Sequence, residues 1–256
     1  MTLAASGALA LARPDLGPGI GAAFTSRTGG VSAAPYDSLN LGLGVGDDPA
    51  AVSANRAAVA SACGLAPAGL SFMRQVHGAE VCHLGPGLAQ PSGPADGIVT
   101  DVPGRALCVL VADCVPVLVA DPVARIAGAA HSGREGMVAG VVPALVAAMT
   151  RAGAEPSRMR AVTGPAICGR CYEVPAALQD RVAAAVPQAR CATSAGTAGL
   201  DLPAGVRAQL EAAGVGTIQA DGRCTRESAE LFSYRRDGTT GRLAGLVWLT
   251  KPGARR

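Results

Sequence analysis

Apolar residues run along this chain in two rhythms. Ala106–Ala112 and Val115–Ala120 are continuous, β-branched runs, too unbroken to leave one face wet, and they predict strands covered on both sides. Ile20–Ser26, Leu70–Val76, Glu80–Leu84, Arg125–Ala130 and Leu246–Leu249 predict further strands. Met137, Val138, Val141, Val142, Leu145, Val146 and Met149 recur instead at helical spacing, so a helix should start just after His131 and lie over the sheet. Asp48-Pro49 supplies an N-cap and a first-turn proline for a helix reaching Cys63. Two more amphipathic stretches, Pro175–Val186 and Pro203–Ala213, also read as helices. Strands alternating with helices, without an internal repeat, give an α/β or α+β core.

The 256 residues suit one large domain or two small ones, and no linker divides them. With 22 Lys plus Arg against 19 Asp plus Glu, the net charge of +3 is too small and scattered for a nucleic-acid footprint. Residues 1–18 read as a loosely ordered N-terminal extension that lacks a basic region ahead of its apolar residues, so a secretory signal is not expected. Asp113 and Asp121 interrupt the longest apolar stretch before it reaches a membrane span. A cytoplasmic protein without membrane attachment is the expectation. Eight cysteines in that setting are not a disulfide framework. Cys63, Cys82, Cys108, Cys191 and Cys224 read as small buried hydrophobes or strand residues.

Only three histidines occur. His77, in Gln75-Val76-His77-Gly78, and His131, in Ala130-His131-Ser132-Gly133, each follow an apolar run, as does Cys114 in Ala112-Asp113-Cys114. All three side chains should emerge where a strand gives way to a turn. Two imidazoles and a thiolate leave one tetrahedral position open, the arrangement of a catalytic zinc. Asp113 is the expected acid/base or orienting group. His83 lacks such a context and reads as structural. Cys168-Gly169-Arg170-Cys171 has no second ligand pair nearby in sequence, so both cysteines read as pocket wall. Arg27, beside the flexible Gly29-Gly30 turn, offers a bidentate anion ligand.

Phe24-Thr25-Ser26-Arg27, Gly29-Gly30-Val31-Ser32, Ser38-Leu39-Asn40-Leu41-Gly42 and Gly46-Asp47-Asp48-Pro49 through Asn55-Arg56 form one series of motifs. Ala95-Asp96-Gly97, Cys171-Tyr172-Glu173-Val174, Phe232-Ser233-Tyr234-Arg235-Arg236 and Gly241-Arg242 extend it past the His and Cys motifs. In this order the chain resembles the bacterial family long described as multicopper polyphenol oxidases (laccases). That family is now regarded as purine nucleoside phosphorylases with adenosine deaminase activity and is also called the peptidoglycan editing factor family. The resemblance implies a single α+β domain, with α/β-type layers, whose mixed β-sheets are sandwiched by helices. It also implies a monomeric zinc enzyme acting on adenosine, inosine or methylthioadenosine with inorganic phosphate, with His77, Cys114 and His131 as metal ligands. Arg27, Asn40 and Arg56 then become the phosphate or ribose contacts, and Arg235, Arg236 and Arg242 ties between the C-terminal segment and the core. Ser132-Gly133-Arg134-Glu135-Gly136 departs from the usual pattern after the second histidine, which bears on substrate preference.

Two other classes fit part of the pattern. A copper protein would use the same His2Cys set, but a laccase's trinuclear centre needs far more than three histidines. A cysteine hydrolase would pair Cys114 with His131 and leave His77 without a task.

Overall fold

The computed structural model describes residues 9–251. Two mixed sheets stack face to face. The first runs in the order β1-β2-β13-β6-β3, with β1 (Leu11–Ala12), β2 (Ile20–Thr25), β3 (Leu70–Phe72), β6 (Ala106–Val111) and β13 (Leu243–Leu249). The second runs β12-β9-β7-β8-β5-β4, with β4 (Val81–His83), β5 (Gly97–Thr100), β7 (Val115–Asp121), β8 (Ile126–Ser132), β9 (Arg160–Thr163) and β12 (Thr217–Ala220). A small ribbon of β10 (Arg190–Ala192) and β11 (Ala198–Leu200) stands apart.

The continuous apolar runs find their reason in this stacking. Phe24, Leu107, Val109 and Val247 from the first sheet meet Ile98, Leu118, Ala129 and Val162 from the second in one core. The opposite faces are covered as well. Val59 and Ala60 of α1 (Pro49–Ala62) pack on Ala23, Cys108, Leu246 and Trp248. On the second sheet, α3 (Val141–Arg151) and α5 (Leu202–Ala212) lay Leu145, Met149, Val206 and Leu210 against Val117, Val119 and Ala130, with Val182 of α4 (Ala176–Ala185) behind them. The result is a helix-sheet-sheet-helix sandwich, and every residue of β7, β8 and β13 is buried.

Local signals hold at the predicted helices. Asp48 caps α1 by accepting from Ala50 N–H at 2.9 Å. Asp201 does the same for α5 through Ala204 N–H. The helix expected over Met137–Met149 is in fact two, α2 (Arg134–Ala139) and α3, because Gly140 takes φ +84, a left-handed conformation that glycine adopts without strain. The described part of the N-terminal extension is not loose. Leu11 and Ala12 pair with Thr25 and Phe24, and Leu16 is buried in the core between the sheets. Residues 1–8 lie outside the described residues. No described helix is long and apolar enough to cross a membrane.

Candidate metal centre

Asp96 organises the site. It is fully buried just ahead of β5, so its carboxylate needs hydrogen bonds from the protein itself. Val76, His77 and Gly78 donate their backbone N–H groups to it at 3.0, 3.0 and 2.8 Å. His77 adopts φ +61 to make this possible, an uncommon conformation outside glycine that the three bonds compensate. The second imidazole is held by the same acid. Nδ1 of His131 lies 2.8 Å from Oδ1 of Asp96, and His131 N–H donates to the Asp96 carbonyl at 2.7 Å. Nε2 is thereby the ring nitrogen of His131 left to face Cys114.

Cys114 arrives from the turn between β6 and β7. Its Sγ lies 4.0 Å from Nε2 of His77, and the two imidazole rings meet edge to face with centroids 4.8 Å apart. One donor atom from each of His77, Cys114 and His131 lies within 4.8 Å of the other two. The strand-end expectation holds for Cys114, whereas His131 sits inside β8, which continues to pair Ser132 with Val115.

Burial pushes the Cys114 thiol up, but hydrogen bonds and charge from His131 and His77 overcome it and bring the thiol down to about 6. Burial likewise lowers His131, yet its bonds to Asp96 and Cys114 raise it to about 9. Burial raises Asp96, and the His131 bond with the Gly78 and Val76 N–H groups outweighs it, so the carboxyl titrates below its ordinary range. The centre therefore offers a thiolate and two imidazoles, one of them oriented by a fixed carboxylate, a donor set that suits a soft-to-borderline divalent cation. Gly133 leaves room for it: a Cβ there would stand 2.8 Å from Cδ2 of His77 and 2.9 Å from Sγ of Cys114.

A cavity of about 470 Å³ opens onto these donors. Leu43, Val45, Met73, Leu110 and Val111 give it apolar walls, and Gln75, Tyr234 and Arg242 bring polar groups. Another cavity, of about 530 Å³, lies between Leu11, Arg13, Val31 and Ala58, and no histidine, cysteine or carboxylate lines it.

Several residues singled out in the sequence take other roles. Asp113, at φ +95, turns its carboxylate to the Thr225 hydroxyl at 2.6 Å and the Arg235 N–H at 2.6 Å, so Asp96 and not Asp113 orients an imidazole. Arg27 donates to the Asp37 carbonyl and carboxylate, lies 3.8 Å from Asp237 and stacks on Phe232. Arg56 donates twice to the Leu41 carbonyl and stacks on Phe72. Buried Asn40 donates to Gly42 C=O and Asp47 and accepts from Gly42 and Arg242 N–H. None of the three lines the cavity. Asn40 and Arg56 hold Gly42 and Leu41, at the start of the segment 42–45 that forms part of its wall. Arg235 and Arg236 tie the C-terminal segment to the core, through the carbonyls of Glu173 and of Thr225, Ser228 and Leu231 respectively. Arg242 makes such a tie through its backbone N–H, which donates to Oδ1 of Asn40, while its guanidinium donates to the neighbouring carbonyls of Thr240 and Gly241 and faces the cavity.

Fold and donors together define an α+β protein with a three-donor candidate metal centre. Residues 21–250 match the family described as multi-copper polyphenol oxidoreductase laccase, and the chain belongs to that family. It is 58% identical over 227 residues to a purine nucleoside phosphorylase of Streptomyces coelicolor, covering 88% of this chain and 94% of that protein. A purine nucleoside phosphorylase of Mycobacterium tuberculosis is 51% identical over 225 residues, 88% and 90% of the two chains. Among solved structures, YlmD from Geobacillus stearothermophilus superposes with a TM-score of 0.84 at 35% identity, over 91% of this chain and 93% of that one. The Neisseria meningitidis protein NMB0706 gives 0.85 at 35% identity, over 96% and 100%.

Proposed function

We propose that this protein is a zinc-dependent purine nucleoside phosphorylase with adenosine deaminase activity, taking adenosine, inosine or methylthioadenosine together with phosphate. The observation that carries this reading is the convergence of His77, Cys114 and His131 on one walled cavity, in a chain 58% identical to a purine nucleoside phosphorylase. Three protein donors leave one ligand position open, as in catalytic rather than structural zinc sites. Zinc, when bound, supplies Lewis acidity that lowers the pKa of water toward about 7. The copper-oxidase alternative meets an arithmetic obstacle, since the whole chain has three histidines.

The chain's own residues divide the remaining work. Leu43, Val45, Met73 and Val111 form an apolar slot that suits the faces of a purine. Arg242 is the cavity's fixed cation, and its guanidinium suits a phosphate oxyanion. In phosphorolysis a phosphate oxygen bonds to the anomeric carbon while the glycosidic bond breaks and the purine leaves, taking up a proton. In deamination water adds at C6 and ammonia departs. Asp96 holds His131 in one ring orientation throughout.

The arrangement of Cys114, His131 and Asp96 also supports a second reading, a cysteine hydrolase, because a depressed thiol, an imidazole and a buried acid stand in sequence. The test measures metal content, purine base release with and without phosphate, and ammonia release on the purified protein. Bound zinc with phosphate-dependent base release supports the nucleoside reading. A metal-free protein inactive on every purine nucleoside, yet inactivated towards esters by iodoacetamide, transfers the assignment to the hydrolase.

A further inference from the structure

A second group of donors lies outside this centre. Cys168 and Cys171 follow β9, Cys224 and Glu227 precede α6 (Tyr234–Asp237), and one donor atom from each lies within 4.8 Å of all the others. The C-x-x-C pair that lacked a partner in the sequence meets a C-x-x-E pair more than 50 residues downstream. We propose that Cys168, Cys171, Cys224 and Glu227 form a second metal site, which binds zinc in a structural role.

The geometry, the burial and the surrounding charge support it. Around a tetrahedral ion with Zn–S of about 2.3 Å and Zn–O of about 2.1 Å, ligand atoms stand roughly 3.5–3.8 Å apart. The four donors therefore need an inward shift of at most about 1 Å, within the reach of side-chain rotation. Both pairs have i, i+3 spacing, which lets each grip the ion from one turn of chain. Cys171 and Cys224 are buried with Ile167, whereas Glu227 is exposed, so the site is closed inside and has an entry path from solvent. Cys168 N–H donates to Sγ of Cys224 at 3.4 Å, the kind of outer contact that orients a ligating sulfur. Three thiolates and a carboxylate around a dication leave excess negative charge. Arg170, 3.6 Å from Glu227, and Arg226, which donates to the Cys171 carbonyl, stand ready to offset it.

Four protein donors leave no open position, which makes this a clamp rather than a catalytic centre. What it clamps is adjacent to the first site. Ile167 N–H donates to the Asp113 carbonyl at 2.9 Å, and Thr225 donates to the Asp113 carboxylate at 2.6 Å. The neighbours of Cys168 and Cys224 thus fix the residue next to Cys114.

The experiment is elemental analysis of protein grown with added zinc and purified without chelators, in the native chain, His77→Ala/His131→Ala, Cys168→Ser and Glu227→Gln, with folding checked by near-UV circular dichroism. The His77→Ala/His131→Ala protein should keep about one zinc per chain, and adding Cys168→Ser should lower that at least tenfold. Reconstitution with cobalt should give thiolate charge-transfer absorption that survives loss of both histidines and is lost when Cys168→Ser is added to them. Glu227→Gln, at an exposed position, should weaken zinc retention against a chelator without loss of fold. A folded His77→Ala/His131→Ala protein without zinc would overturn the proposal, as would an intact mass showing two of the three cysteines joined in a disulfide. If the histidine variant does not fold, equal zinc content in the native chain and Cys168→Ser overturns it instead.

Discussion

Oδ1 of Asp96 is shared by both halves of the candidate metal centre: it lies 2.8 Å from Nδ1 of His131 and accepts the backbone N–H of His77 at 3.0 Å. One buried acid thus sets the ring orientation of one histidine and the backbone conformation of the other. Replacing it with asparagine keeps the size and removes the charge. Asp96→Asn should weaken zinc binding 10–100-fold, the usual cost of losing an orienting carboxylate. Competition with a chromogenic chelator measures this, and unchanged affinity would remove Asp96 from the site's architecture.

His131→Ala or Cys114→Ala should abolish stoichiometric zinc at this centre together with turnover. His83 is the control, since it lies half-exposed on β4 with Asp101 at 3.7 Å. His83→Ala should leave zinc and activity within about twofold. Elemental analysis beside a base-release assay separates ligand loss from general damage.

The cavity lining, rather than the motif pattern, is the ground on which Arg242 is proposed as the phosphate ligand. Arg242→Ala should slow phosphorolysis roughly tenfold to a hundredfold, the equivalent of a charge-assisted contact of about 1.5–3 kcal/mol, and slow deamination less. Arg27→Ala should affect both reactions alike, through loss of its ties to Asp37 and Asp237. Parallel assays of hypoxanthine and ammonia release decide between the two arginines.

Gly133→Ala probes the space between the donors. A methyl group there meets His77 and Cys114 below 3.0 Å, so the two donors must move apart. Zinc retention should fall while the thermal midpoint stays within a few degrees, as differential scanning fluorimetry with and without added zinc would show. Undiminished retention would mean that the donors sit farther apart than this geometry requires.

Asp121 gives a pH-dependent signature away from the centre. Burial raises its pKa, but N–H bonds from Glu155, Ala124 and Val123 and the Arg158 contact outweigh it, so the carboxyl titrates below its ordinary range. A group depressed on folding stabilises the protein above its unfolded pKa of about 3.9 and loses that contribution as pH falls through the lower folded value. Asp121→Asn should therefore cost about 1–3 kcal/mol at pH 7, and the gap to the native chain should narrow below about pH 4. A gap constant from pH 7 to 3 would show that the charge does not matter.

Much of this architecture was legible in the sequence because burial on both faces leaves a one-dimensional mark. The unbroken run Val115–Ala120 could only be a covered strand, and Asp48-Pro49 could only open a helix. The three candidate ligands were legible for the same reason, since polar donors interrupt or end such runs. The orienting acid was harder to see. Its signal was a charged residue opening the apolar strand Gly97–Thr100, and its partners at 76–78 and 131 are brought to it only by tertiary pairing. Arg27 and Arg56 show a related ambiguity: a guanidinium that ties down carbonyls looks, in sequence, like one waiting for an anion. The weak strands Arg160–Thr163 and Thr217–Ala220 escaped notice because their pattern is short and partly polar.

The position of β13 has a consequence for assembly. This strand, Leu243–Leu249, lies between β2 and β6 and contributes the register partners of both, so the first sheet has a gap through its middle until nearly the whole described chain has been made. Synthesis order and assembly order therefore diverge. A nascent chain that has passed β12 already carries every strand of the second sheet, while β2 and β6 still display unpaired edges and apolar faces. Any truncation before residue 243 leaves two half-sheets with no hydrogen-bonded strand between them.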